Sequence, residues 1–151
     1  MKELTGTATA AVAAPAEECL ALLAAVERYP TWYPDVVRSV EVIERDASGQ
    51  ASRVRAKLHL SQGPLSKDFD LLMAVTVQPP IVRLTRVPDD PKDEEQFDVT
   101  WHVEAPAHAQ IRLDLRANLS VPRLLPIGGI GGAVADGFVT AAARALVSDD
   151  A

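Results

Sequence analysis

From Val40 to Leu119 apolar side chains return at every second position in six successive runs, a spacing that matches half-buried strands and not helices. The cleanest run sets Val54, Ala56, Leu58 and Leu60 against Arg53, Arg55, Lys57 and His59, so one face is apolar and the other solvated. Val40 and Val42 open the series. Phe69, Leu71, Met73, Val75 and Val77 repeat the pattern, then Val82 and Leu84, then Phe97, Val99, Trp101 and Val103, and last Ile111, Leu113, Leu115, Ala117 and Leu119. Brief breaks separate the runs. Asp46-Ala47-Ser48-Gly49 has the composition of a hairpin turn, the prolines of Gln62-Gly63-Pro64 and Pro79-Pro80 lack the N–H that pairing needs, and Asp89 to Glu95 forms an acidic loop. Strands joined this closely pair antiparallel, and the single apolar face of their sheet has to be covered.

Helices are predicted on both sides of the series. Glu3 to Ala13, rich in Thr and Val, reads as a further strand, after which Pro15 opens a helix whose first turn carries Glu17 and Glu18 at the positive end of the dipole. Cys19, Leu20, Leu22, Leu23 and Val26 form its apolar stripe, and the helix is expected to end before Pro30. There the chain concentrates three of its few aromatic residues in Tyr29-Pro30-Thr31-Trp32-Tyr33-Pro34, a turn expected to plug against a concave apolar surface. After Pro122 the alternation stops. From about Ile130 to Val147, Val134, Phe138, Ala141, Ala142, Ala145 and Leu146 fall near helical spacing and predict a long terminal helix that covers the sheet.

This element order, with the aromatic turn, resembles the helix-grip fold of the START-like (SRPBCC) superfamily, also called the polyketide cyclase/dehydrase and lipid transport family. The most specific stretch is Ala14-Pro15-Ala16-Glu17-Glu18, leading through Val26-Glu27-Arg28-Tyr29-Pro30-Thr31-Trp32-Tyr33-Pro34-Asp35-Val36 to Arg38-Ser39-Val40-Glu41-Val42. The resemblance spans nearly the whole chain and implies one α+β domain over 1–151, in which a curved antiparallel sheet of about seven strands grips the C-terminal helix with a cavity between them. It says little about chemistry, because the family includes lipid and sterol carriers, aromatase/cyclases, hormone receptors and quinone-associated proteins.

Composition narrows the partners. With 151 residues and 48% hydrophobic side chains the chain can bury one sizeable core, and its net charge of −6 with pI near 5.0 argues against a nucleic-acid partner. Cys19 is the only cysteine, which excludes an internal disulfide and multi-cysteine metal motifs and fits a reducing, cytoplasmic compartment. No stretch reaches the roughly 18 uninterrupted apolar residues of a membrane span, and Thr5, Gly6, Thr7 and Thr9 interrupt any signal-peptide core.

Candidate chemistry is sparse. Strand parity directs His59 and His102 to the solvated face and His108 falls in a turn, so no metal site or base–nucleophile pair is expected. Gly128, Gly129, Gly131 and Gly132 lack the Lys-Ser/Thr of a phosphate loop and read instead as permissive backbone at the helix start, suited to the close approach of a ligand or to a gate. Arg86 shares the inward parity of Val82 and Leu84 and is placed at a cavity mouth, facing a ligand carboxylate or Asp89; Lys67 follows the same logic beside Phe69. The expected function is binding or transport of a small hydrophobic molecule such as a lipid, polyketide, quinone or isoprenoid, without cofactor. Leu58, Leu71, Met73, Leu84, Phe97, Trp101, Leu113, Leu115 and Phe138 are the expected walls, with Trp32 near the entrance. The alternative is a cyclase or dehydratase working in the same cavity.

Overall fold

The structure, a computed structural model, describes residues 2–62, 65–88, 90, 92, 94–104, 109–119 and 130–149. Strand β1 (Lys2–Val12) precedes helix α1 (Ala16–Ala24), a 3-10 turn (Val26–Arg28) and a four-residue helix α2 (Tyr29–Trp32). Six strands follow: β2 (Val37–Arg45), β3 (Ala51–Gln62), β4 (Leu65–Gln78), β5 (Ile81–Arg86), β6 (Gln96–Glu104) and β7 (Ala109–Leu119), then helix α3 (Ile130–Asp149). All pairings are antiparallel, in the order β1-β7-β6-β5-β4-β3-β2, so the first strand lies beside the last.

The alternation read from the sequence becomes the two faces of this sheet. Val54, Ala56, Leu58 and Leu60 of β3 are buried on the concave side, as are Phe69, Leu71, Met73 and Val75 of β4 across the hairpin. Charged residues at the intervening positions pair across strands on the other face, as in Arg55–Asp70 at 3.1 Å and Arg112–Glu104 at 3.0 Å. Among the described residues no polar or charged side chain is fully buried. The β2–β3 turn is built by Asp46, whose Oδ1 accepts from the Ser48 amide (2.8 Å), the Ser48 hydroxyl (2.6 Å) and the Gln50 amide (3.2 Å). Gly49 completes it at φ 88°, a left-handed conformation that side chains disfavour.

Two local expectations need correction. Pro15 occupies the N-cap position, one residue ahead of the helix it was expected to begin. Helix α1 does end before Pro30, at Ala24, but the aromatic segment expected as a turn is partly helical: the 3-10 turn feeds α2, which holds Pro30 in its first turn, where a missing N–H leaves no intrahelical bond unmade. The prolines therefore limit this helix to one turn rather than preventing it.

Helix α3 lies along β1 and β7 and touches β3 only lightly. Gly131 sets this placement. Its Cα packs directly on the Thr5 backbone while Gly6 meets Gly131 from the strand side, and neither position has room for a β-carbon. The close approach at Gly131 is thus made to strand β1, where a ligand or a gate was expected; Gly128 and Gly129 lie outside the described residues, as do Gly63, Pro64, Asp89, His108 and Pro122.

Candidate functional site

Five of the chain's seven aromatic residues join in one column through the α1–β2 turn and α3. Tyr29 tilts against Trp32 at 4.8 Å, Trp32 stacks on Tyr33 at 6.3 Å, Tyr33 meets the edge of Phe138 at 4.7 Å, and Phe138 stands edge-on to Trp101 at 6.3 Å. The Tyr29 hydroxyl donates to the Leu23 carbonyl at 2.5 Å, tying α2 back to α1. Burial pushes the Tyr29 phenol well above its ordinary range; the Trp101 indole N–H, which faces it without completing a hydrogen bond, opposes that shift. Tyr33 is pushed up to about 12, by burial first and then by the Asp35 charge. Its hydroxyl seats against Gly137 of α3, in the space a β-carbon there would fill. The turn is therefore a plug in the sense expected, docked into a notch that the helix leaves open.

Open space lies on both sides of Trp32. A cleft of about 910 Å³ runs between the α2–β2 turn, the end of β3 and the middle of α3, with Tyr33, Val36, Leu60, Gly137 and Ala141 among its lining and Asp35, Arg38, His59, Ser61, Asp136, Thr140 and Arg144 as its polar groups. Strand pairing explains its position. Strand β2 begins at Val37 opposite Leu58, and the His59 amide still donates to the Val36 carbonyl (2.7 Å), but Leu60 and Ser61 run on with no β2 residue beside them. A second cleft of about 650 Å³ lies between α1 and the C-terminal half of α3 and shares only Trp32, Ala141 and Arg144 with the first.

The residues expected to wall a cavity are all in the interior. Leu58 of β3, Leu71 and Met73 of β4, Leu84 of β5, Phe97 and Trp101 of β6, Leu113 and Leu115 of β7, and Phe138 of α3 are buried. Trp101 and Phe138 are brought into ring contact. Of the eleven residues named from the sequence, only Trp32 lines either cleft. Arg86 is half-buried at the end of β5 opposite Met73, and its guanidinium donates to the Glu95 carbonyl at 2.9 Å. Lys67 sits 5.1 Å over the Phe69 ring.

Sequence reasoning missed His59. Its parity does point to the outer face, yet it lines the larger cleft because β3 outruns its neighbour, and its Nδ1 lies 2.6 Å from Asp68 Oδ1. The signal was available only in strand lengths: a β2 shorter than β3 exposes one end of β3. His102 pairs with Asp114 at 3.1 Å on the outer face. Among the described residues no group of three His, Cys, Asp or Glu is placed to hold a metal ion. Cys19 is buried and its thiol pKa is raised by that burial, so it is a poor nucleophile. The larger cleft thus sets an apolar part, at Trp32, Tyr33, Val36, Leu60 and Ala141, beside an equally extensive set of polar and charged groups.

Comparison with known proteins agrees with the fold. The family profile for polyketide cyclase / dehydrase and lipid transport matches residues 12–147. No curated protein sequence matches the chain. Among solved structures, a START superfamily protein from Mycobacterium smegmatis superposes with TM-score 0.76 at 16% identity, covering 96% of this chain and 98% of that one. The major latex-like protein 151 of Panax ginseng gives TM-score 0.67 at 9% identity, with 97% of each chain covered. The Zhui aromatase/cyclase from Streptomyces sp. R1128 gives 0.56 at 17% identity, covering 99% of this chain and 89% of that one. The chain belongs to the polyketide cyclase/dehydrase and lipid transport family and has the START-like helix-grip fold.

Proposed function

We propose that this protein binds or transfers a small hydrophobic molecule such as a lipid, polyketide, quinone or isoprenoid, which enters through the 910 Å³ cleft beside Trp32. One observation carries the reading: the cleft reaches Tyr33 and Leu60, and Tyr33 is itself in ring contact with buried Phe138. A ligand displacing the Tyr33 ring from its notch at Gly137 would meet Phe138 and Trp101 and then the apolar faces of β3 to β7, the wall formed by Leu58, Leu71, Met73, Leu84, Phe97, Leu113 and Leu115. The volume suits such a ligand, since small-molecule sites commonly measure about 300–1,000 Å³. Carriage rather than catalysis is supported by the buried faces of the strands, which among the described residues carry only apolar side chains. The buried cysteine is in keeping with work in the cytoplasm.

Nile red titration tests the site, with native mass spectrometry of the purified protein to identify any co-purified lipophile. Thr140 is exposed on α3 and lines the larger cleft but not the smaller, so Thr140→Trp fills the entrance with little cost to the fold. The variant should bind Nile red at least tenfold more weakly. Unchanged affinity in a folded Thr140→Trp protein refutes this entrance.

A further inference from the structure

We propose that the larger cleft holds a polar subsite at the unpaired end of β3 that selects a neutral hydroxyl group, so that the ligand is a lipophilic alcohol or phenol rather than an acid or an amine. The inference rests on the cleft being a ligand site and adds the group that orients a ligand in it. Strand β2 accompanies β3 only as far as Val37, opposite Leu58. The His59 amide turns to that side and donates to the Val36 carbonyl at 2.7 Å. Backbone groups along an antiparallel strand turn to alternate sides, so Leu60 bonds towards Lys67 of β4, and the N–H and carbonyl of Ser61 turn the same way as those of His59. No β2 residue stands there. Among the described residues the Ser61 amide meets no acceptor, and Ser61 lines the cleft.

The His59 ring supplies the complementary group. Its Nδ1 lies 2.6 Å from Oδ1 of Asp68, the residue directly opposite on β4. An ionised carboxylate only accepts, so Nδ1 carries the proton in this pair and Nε2 of the neutral ring is left as an acceptor. Nε2 has no partner among the described residues, and the half-buried ring lines the cleft. An open acceptor and an open donor thus sit two residues apart on one strand end. A hydroxyl is the neutral group that donates and accepts at a single oxygen. Charge points the same way: Asp35 and Asp136 are matched in the cleft by Arg38 and Arg144, which leaves no formal preference for an ionic headgroup.

The test uses octanol and heptyl methyl ether, isomers that differ in whether the oxygen carries a hydrogen, titrated by calorimetry against the whole protein at about pH 8, where a free imidazole is neutral. Wild type should bind octanol about fivefold more tightly than the ether, the worth of one neutral hydrogen bond. His59→Phe keeps a ring without the acceptor; with folding checked by circular dichroism, it should bring octanol down to the affinity of the ether and leave the ether within twofold. Both oxygens accept, so in nitrogen-labelled protein the Ser61 amide signal should move with either ligand. The inference is overturned if wild type binds the isomers equally, if octanoate binds more tightly than octanol, if His59→Phe weakens both isomers alike, or if the Ser61 signal stays in place. Nile red separates this failure from that of the cleft itself: a wild-type protein that does not bind it loses the cleft as a ligand site and the subsite with it, whereas Nile red binding together with equal affinities for the isomers rejects the subsite alone.

Discussion

Adjacent glycines at the start of α3 should respond to the same substitution with opposite signs. A β-carbon added at Gly131 would lie 2.7 Å from the Thr5 carbonyl carbon and 2.9 Å from its amide nitrogen, whereas ordinary contact begins at 3.4 Å. Strand β1 is paired along its length to β7 and its backbone cannot swing aside as a side chain could, so the helix must retreat by most of an ångström and loosen Val134 and Phe138 from the sheet. Overpacking of this kind costs about 1–3 kcal/mol, with a rigid backbone on the other side placing this case at the upper end, and better helix propensity returns up to about 1 kcal/mol. Gly131→Ala should therefore destabilise by about 2 kcal/mol net, or about 4–8 °C in Tm for a domain of this size. Gly132→Ala meets nothing within 4 Å and should stabilise by up to about 1 kcal/mol. Urea denaturation with an unchanged m-value reads both. Equal shifts in the two variants would falsify the seating of α3 on Thr5.

Three further outcomes follow from the geometry. Gly49→Ala has open space around it but a φ of 88°, so it should cost about 1 kcal/mol in the same urea assay through backbone conformation alone; no loss would mean the β2–β3 turn has another shape. Tyr33 has a folded pKa raised to about 12 from 10.0, so its contribution is fully present below pH 10 and is lost as pH rises from 10 towards 12; Tyr33→Phe should lessen the alkaline fall of Tm, with buried Tyr29 sustaining the remainder. Asp46, whose carboxyl is held below its ordinary 3.8 first by the Ser48 hydroxyl, contributes above that pH and loses its effect as pH falls through the lowered value; Asp46→Ala should remove that part of the acid dependence, and an unaltered acid limb of the Tm–pH profile would show that the turn does not depend on the carboxylate.

Strand parity was legible because a period of two determines which face each residue occupies, and Val54 through Leu60 or Phe97 through Val103 lie where the alternation puts them. The aromatic turn was legible as a plug for a similar reason: Pro30 and Pro34 restrict its backbone, and large rings seek buried surface. Open space was harder to locate. An alanine-rich helix face is compatible both with a gap and with a closer helix, and at Ala135 and Ala142, both completely buried, α3 uses small side chains to sit down on its neighbours, while at Ala141 and Ala145 similar side chains line a cleft. Only the three-dimensional course of α1 and β2 separates these cases. His59 escaped notice because its role depends on where β2 starts, and the sequence around Val36 and Val37 carries no sharp strand signal.

The partnership of β1 with β7 has a consequence for synthesis. Paired residues on these strands, such as Thr7 and Asp114, stand 107 positions apart, so at about 5–20 residues per second β1 emerges about 5–20 s before the strand it needs. Until then its apolar positions Leu4, Ala8 and Val12 and its unpaired backbone are open to other chains, while the β2–β5 hairpins can form from local contacts. The polar residues Thr5, Thr7 and Thr9 on its opposite face reduce the appeal of that waiting edge. Seating of α3 on Gly6 likewise has to wait for Gly131, which follows β7 in the sequence.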